Sequence, residues 1–186
     1  MAGKVCPVWI GYMLLNPLRK LGQNPNRILK PFLRPGMTVM DFGCAMGFFS
    51  IPMARAVGPE GRVLCVDIQE GMLKVLGRRA ARAKVEKIIE PCLLEDSQIR
   101  FDSYQGKVDF VLLFAAAHEV PDQGRLFREL YKVLKPGGKI LFSEPSGHLS
   151  RDDFEVSLGL AEARGFELGC EVRIRGGFSR ILEKPG

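Results

Sequence analysis

The sequence predicts an α/β fold, with a doubly wound, mostly parallel sheet of about seven strands, helices on both faces and an antiparallel C-terminal hairpin. Three observations carry this. Short apolar runs alternate with segments of helical periodicity from Val39 onward. The run Val108–Phe114 is apolar almost throughout, as a strand buried on both faces requires. Turn-forming clusters separate the segments at Arg34-Pro35-Gly36, Gly58-Pro59-Glu60-Gly61 and Lys135-Pro136-Gly137-Gly138.

The first strand is expected at Val39–Phe42. A helix over Phe48–Val57 follows, with Pro52 in or near its first turn, where a missing N–H costs little. Arg62–Val66 reads as the second strand, Gly71–Lys84 as a helix with a basic outer face, and Lys87–Pro91 as the third strand. After the fourth strand, Val108–Phe114, comes a helix over Asp122–Leu134. It carries Leu126, Phe127, Leu130, Val133 and Leu134 at helical spacing, and the Lys135–Gly138 turn stops it. Lys139–Ser143 is the fifth strand, Asp152–Arg164 a helix, and Phe166–Arg173 with Gly177–Glu183 the closing hairpin around Gly176-Gly177.

A chain of 186 residues with 46% hydrophobic and 26% charged residues suits a single globular domain, 1–186. No apolar run is long enough for a membrane helix. Gly11, Asn16 and Pro17 interrupt the early apolar stretch, which argues against a signal peptide and makes a cytoplasmic location the expectation. Residues 1–30 form an N-terminal helical segment or lid, with Trp9, Tyr12, Met13, Leu14 and Leu15 as its apolar part. The cysteines Cys6, Cys44, Cys65, Cys92 and Cys170 have no C-x-x-C spacing, and the histidines are His118 and His148 alone. No metal site is expected.

The net charge is +6, and residues 1–40 hold six basic residues and no acid (Lys4, Arg19, Lys20, Arg27, Lys30, Arg34). A second basic run, Lys74, Arg78, Arg79, Arg82, Lys84 and Lys87, lies on the expected helix 71–84 and just beyond it. Both are read first as solvated surface. Neither lies beside an aromatic-rich nucleic-acid motif, so nucleic acid is not an expected partner. Assembly is left open between a monomer and a homodimer.

In a parallel sheet, ligands bind beyond the carboxyl ends of the strands. There the segment Val39–Gly47 supplies Asp41-Phe42-Gly43-Cys44-Ala45-Met46-Gly47, a loop whose glycines permit close approach to the main chain. Asp67, twenty residues beyond Gly47, ends the second strand. A carboxylate there can accept from both hydroxyls of a ribose, or simply cap the next helix. Glu95-Asp96-Ser97 follows the third strand, where an acid can accept from an adenine amino group.

Taken in order, these motifs resemble the class I S-adenosylmethionine (SAM)-dependent methyltransferases. VMDFGCAMG is similar to their first motif, VLCVDIQEGML to their second, and KVDFVLLFAAAHEVPD with VLKPGGKILFSEP to their later ones. The likeness runs from about residue 25 onward and is strongest to the small branch related to quinone-biosynthesis and arsenite methyltransferases. It implies a Rossmann-like sheet, SAM as cofactor and an enzyme acting on a small-molecule acceptor. It further implies Asp41, Gly43, Cys44, Ala45 and Gly47 around the methionine part of SAM, and Asp67 on the ribose. Ile68 and Met72 would line the adenine, Asp96 and Ser97 meet its edge, and Phe114 and Ala115 lie near the sulfonium. One residue departs from the pattern: Ala45 stands where the family has the middle glycine of its loop. With Phe48 it also breaks G-x-G-x-x-G, which argues against a dinucleotide oxidoreductase.

Methyl transfer from a sulfonium is an in-line displacement that positioning and exclusion of water can drive. A protic acceptor additionally calls for a general base. His118 and Glu119, after the fourth strand, are the candidates, with Glu144 and His148 behind them. The competing readings are a non-catalytic SAM-binding subunit and a methyltransferase acting on RNA or protein.

Overall fold

The computed structural model describes residues 22–94, 99 and 101–186. The apolar residues Trp9–Leu15 and the Glu95-Asp96-Ser97 loop lie outside the described residues. The chain falls into two compact units that meet in sequence between Gln98 and Ile99. The described strands are those of a seven-stranded sheet.

The first unit contains α1 (Pro25–Leu29), β1 (Thr38–Phe42), α2 (Ser50–Val57), β2 (Arg62–Asp67), α3 (Glu70–Ala83) and β3 (Ile89–Leu93). Asn24 caps α1 by accepting from the amides of Asn26 and Arg27, and Pro25 opens the helix. β1 and β2 are parallel, with Asp41 opposite Cys65, and β2 and β3 are parallel, with Asp67 opposite Leu93. Residues 39–42 and 63–67 are buried, which is why these strands read as continuous apolar runs. α3 buries Met72, Leu73, Leu76 and Ala80, one face at helical spacing.

The second unit contains β4 (Val108–Phe114), α4 (Gln123–Val133), β5 (Leu134–Pro145), α5 (Arg151–Glu162), β6 (Glu167–Glu171) and β7 (Gly177–Glu183). Short 3₁₀ turns occupy Asp102–Tyr104 and Ala117–Glu119. β4 and β5 are parallel, while β7 is antiparallel to both β5 and β6. The core centres on Phe110, Phe127 and Phe142. Phe142 contacts Phe127 edge to face and stacks on Phe154 of α5. Asp122 caps α4, and Ser150 with Asp153 forms a capping box on α5.

The expected class is the one observed, with three local differences. The helix expected from Phe48 starts at Ser50, because residues 45–49 form a turn. The third strand lies two residues later than expected: a turn carries the chain from Val85 to Ile88, and Pro91 sits inside β3. Proline is tolerated because β3 is an edge strand, where an absent N–H costs no ladder bond on the open side. Lys135–Gly138 stops the helix as expected yet belongs to β5, as a bulge between the Val108–Leu134 and Phe110–Lys139 pairs. Gly137, at φ 74°, and Gly138 exchange main-chain hydrogen bonds with Lys184 there.

Candidate cofactor loop and histidine cluster

In the first unit, the turn after β1 is shaped by main-chain geometry. Gly43, Ala45 and Gly47 all have positive φ, at 75°, 45° and 79°. The amides of Gly43 and Cys44 both donate to the Val66 carbonyl, and that of Gly47 to Cys44. These bonds fold the turn back onto the end of β2. Asp41 is buried and accepts from Ser50 Oγ at 2.5 Å, which ties the end of β1 to the first residue of α2. Cys44 is buried, and burial pushes its thiol well above the ordinary value, so it stays protonated and acts as a small apolar residue.

Asp67 joins this turn directly. Its Oδ2 accepts from the Ala45 amide and its Oδ1 from the Gln69 amide, both at 2.8 Å. Burial pushes the carboxyl up, while the amides of Gln69, Ala45 and Ile68 pull it back. The cap reading is the one observed, and a carboxylate's acceptor positions, about four, are not all used by these bonds. Beside it, Ile68 is 51% exposed and Leu93 39% exposed, unusual for large aliphatic side chains at the end of buried strands. Met72 is 2% exposed and lies within the core of α3's inner face.

Two participants escape the sequence reading. Leu93 does so because the third strand was expected to end at Pro91. Arg79 does so because it sits in a basic run read as solvated surface. Its guanidinium instead donates to the Met46 carbonyl, and burial lowers its pKa. The rest of that helix's basic residues include exposed Arg78 and Arg82, as expected.

In the second unit, His118 lies in the 3₁₀ turn beyond β4 and Glu144 near the end of β5. Glu144 is 1% exposed. Its Oε1 accepts from the Ala117 amide at 2.8 Å, and its Oε2 lies 2.5 Å from His118 Nδ1. The hydrogen bond that His118 donates to Glu144 raises the His118 pKa; partial burial opposes this, and the charges of Glu144 and Glu119 add to the rise. His148, exposed in the loop after β5, places Nδ1 3.2 Å from His118 Nε2, with the rings edge to face. The residue that orients His118 is therefore Glu144, whereas Glu119, in the same turn, acts on it through charge. Phe114 and Ala115 lie at the end of β4, Ala115 at φ 55° with its amide donating to Ser143. Among the described residues, no group of three or more His, Cys, Asp or Glu side chains is placed to hold a metal ion.

Residues 33–170 match the family model described as a methyltransferase domain. The chain belongs to the class I SAM-dependent methyltransferases. A demethylmenaquinone methyltransferase of Symbiobacterium thermophilum is 32% identical over 144 residues, covering 75% of this chain and 57% of the relative. One of Listeria monocytogenes is 32% identical over 108 residues, covering 58% of this chain and 44% of that protein. The chain thus spans about half the length of the curated relatives it matches. In structure, a SAM-dependent methyltransferase of Aquifex aeolicus superposes with a TM-score of 0.85 at 24% identity, over 96% of this chain and 99% of that one. An arsenic(III) SAM methyltransferase of Chlamydomonas reinhardtii gives 0.62 at 22%, over 82% and 64%. Both share the fold.

SAM is the cofactor of this family. The first unit fits it: Asp67 keeps acceptor capacity beyond its two amide bonds, and the exposed Ile68 and Leu93 flank it with apolar surface suited to a purine. Among the described residues no helix is long and apolar enough to cross a membrane.

Proposed function

We propose that this chain transfers a methyl group from SAM to a small-molecule acceptor. The observation that carries the reading is Asp67, a buried carboxylate bonded to the Ala45 amide of the glycine turn and flanked by exposed Ile68 and Leu93. In this reading Asp67 receives the ribose hydroxyls, and Ile68 and Leu93 flank the adenine. Gly43, Cys44, Ala45 and Gly47 leave room for the methionine part, and Asp41 holds their turn through Ser50. Asp96 and Ser97 complete the adenine edge, Met72 backs it from the core, and Phe114 with Ala115 borders the sulfonium.

SAM supplies an electrophilic methyl whose leaving group is a neutral thioether. The protein's part is to bind, orient and keep water away. For a protic acceptor it must also take a proton, for which His118 is the leading candidate and Glu119 the second. The curated relatives are named for demethylmenaquinone, which supports a ring-bearing, quinone-like acceptor.

Titration calorimetry with SAM and with its demethylated product tests the reading. Binding of both at physiological concentrations is expected. Binding of NAD instead, with neither SAM nor its product bound, would refute it.

A further inference from the structure

A buried carboxylate, a half-buried imidazole and an exposed imidazole stand in one line of hydrogen bonds, from Glu144 through His118 to His148. Glu144 Oε1 is bound to the Ala117 amide, so its position does not depend on the histidine. Its Oε2 therefore sets the His118 ring, which gives Nδ1–H to the carboxylate and keeps its lone pair on Nε2 when neutral. That lone pair points to His148 Nδ1 at 3.2 Å. With Nδ1–H donated inward, neutral His148 has its own lone pair on Nε2, on an exposed ring.

We propose that Glu144, His118 and His148 form a proton relay whose receiving atom is His148 Nε2, and that the acceptor is a weak acid losing a proton from oxygen or an acidic carbon. The proposal rests on the methyl-transfer reading. As the acceptor's O–H or C–H bond breaks, its electron pair stays on the acceptor and forms the new bond to the methyl carbon, while the methyl–sulfur bond would break with its pair leaving on the thioether sulfur. The proton passes to His148 Nε2, while His148 Nδ1–H passes to His118 Nε2. The positive charge then rests on His118 beside the Glu144 carboxylate. Reversal of the two hops through exposed His148 releases the proton to water.

Glu144 acts here as a positioning residue. A buried carboxylate bonded to an imidazole favours its charged form, which draws the proton inward from the exposed ring. Among the described residues, the charges acting on His118 are Glu144 from β5 and Glu119 from its own turn, and α4, packed on that turn, adds none. A thiolate or an arsenite lone pair needs no such relay, which is why the relay points to a protic acceptor.

Imidazole NMR on the full chain without ligand tests the relay independently of turnover. In the wild type, neutral His118 should carry its proton on Nδ1. Glu144→Gln should shift His118 titration downward. His148→Ala, an exposed change that leaves the core intact, should also shift it downward, because the protonated His118 ring loses its acceptor at His148 Nδ1. A His118 proton on Nε2, or an unmoved titration in both variants, would overturn the relay. With SAM and a dihydroxynaphthalene as probe acceptor, His148→Ala should lower kcat about 100-fold or more, and flatten the acid limb of the pH profile. SAM affinity should not change. An unaltered rate and profile in that variant would overturn His148 as the receiving base, while loss of SAM binding by the wild type would count against methyl transfer itself.

Discussion

The amide of Ala45 donates to Asp67 Oδ2 at 2.8 Å across 22 residues of sequence. The glycine turn of β1 and the acid ending β2 are therefore one structural object. The carboxylate fixes the turn from one side and keeps acceptor positions for a ligand.

Asp67→Ala is expected to weaken SAM binding by about 1.5–3 kcal/mol, the scale of hydrogen bonds to a charged group. Calorimetry reads this directly, and unchanged affinity would remove Asp67 from the ribose role. Because burial raises the carboxyl's pKa, SAM affinity should also begin to fall on acidification above the range of an exposed aspartate.

Ala45 occupies left-handed backbone at φ 45°, which costs a residue with a Cβ about 1–2 kcal/mol. Ala45→Gly relieves that strain but adds freedom to the unfolded chain, so a net gain of about 0.5–1 kcal/mol is expected. Urea unfolding measures it; a loss of stability would mean that the methyl group packs favourably.

The pairing of His118 with Glu144 links stability to pH. His118 binds its proton more tightly in the fold than in the unfolded chain, where the ordinary value is 6.5. The resulting stabilisation is complete below that value and fades as pH rises through the higher folded value. Unfolding free energy measured across this window should decline with pH, and Glu144→Gln should decline less. Equal slopes would show that the pair contributes nothing to stability.

Gly177 lies opposite Pro145, and a Cβ there would stand 2.4 Å from the Glu144 carbonyl oxygen. Gly177→Ala must push β7 away from β5, at about 1–3 kcal/mol by analogy with overpacked cores. The backbone that carries Glu144 moves with it, so the His118 titration should shift together with the melting temperature. A variant that melts and titrates like the wild type would contradict this.

The parts legible in the sequence are those set by local chemistry. β4 declared itself because burial on both faces demands an unbroken apolar run, and the turn after β1 because Gly43 and Gly47 supply the positive φ it needs. The β3 boundary was hidden by Pro91, whose presence inside a strand depends on β3 being an edge. His118 and Glu144 were each visible as candidate bases after a strand, but not as partners of one another. Glu144 is 26 residues away, and only the parallel pairing of β4 with β5 brings the two strand ends together. Arg79 was misread for a related reason: charge run and helical period are the same for a solvated arginine and for one holding a carbonyl in a turn.

The insertion of β7 between β5 and β6 has a consequence for the order of events at the ribosome. β6 emerges before β7, yet β7 is its partner in the sheet. The segment Glu167–Glu171 must wait without a neighbour until Gly177–Glu183 has been made. During that interval β5 offers an unpaired edge running from Lys139 to Pro145. A nascent chain halted before Gly177 thus carries a sticky strand and an orphan one, a form that chaperones or proteases would meet first.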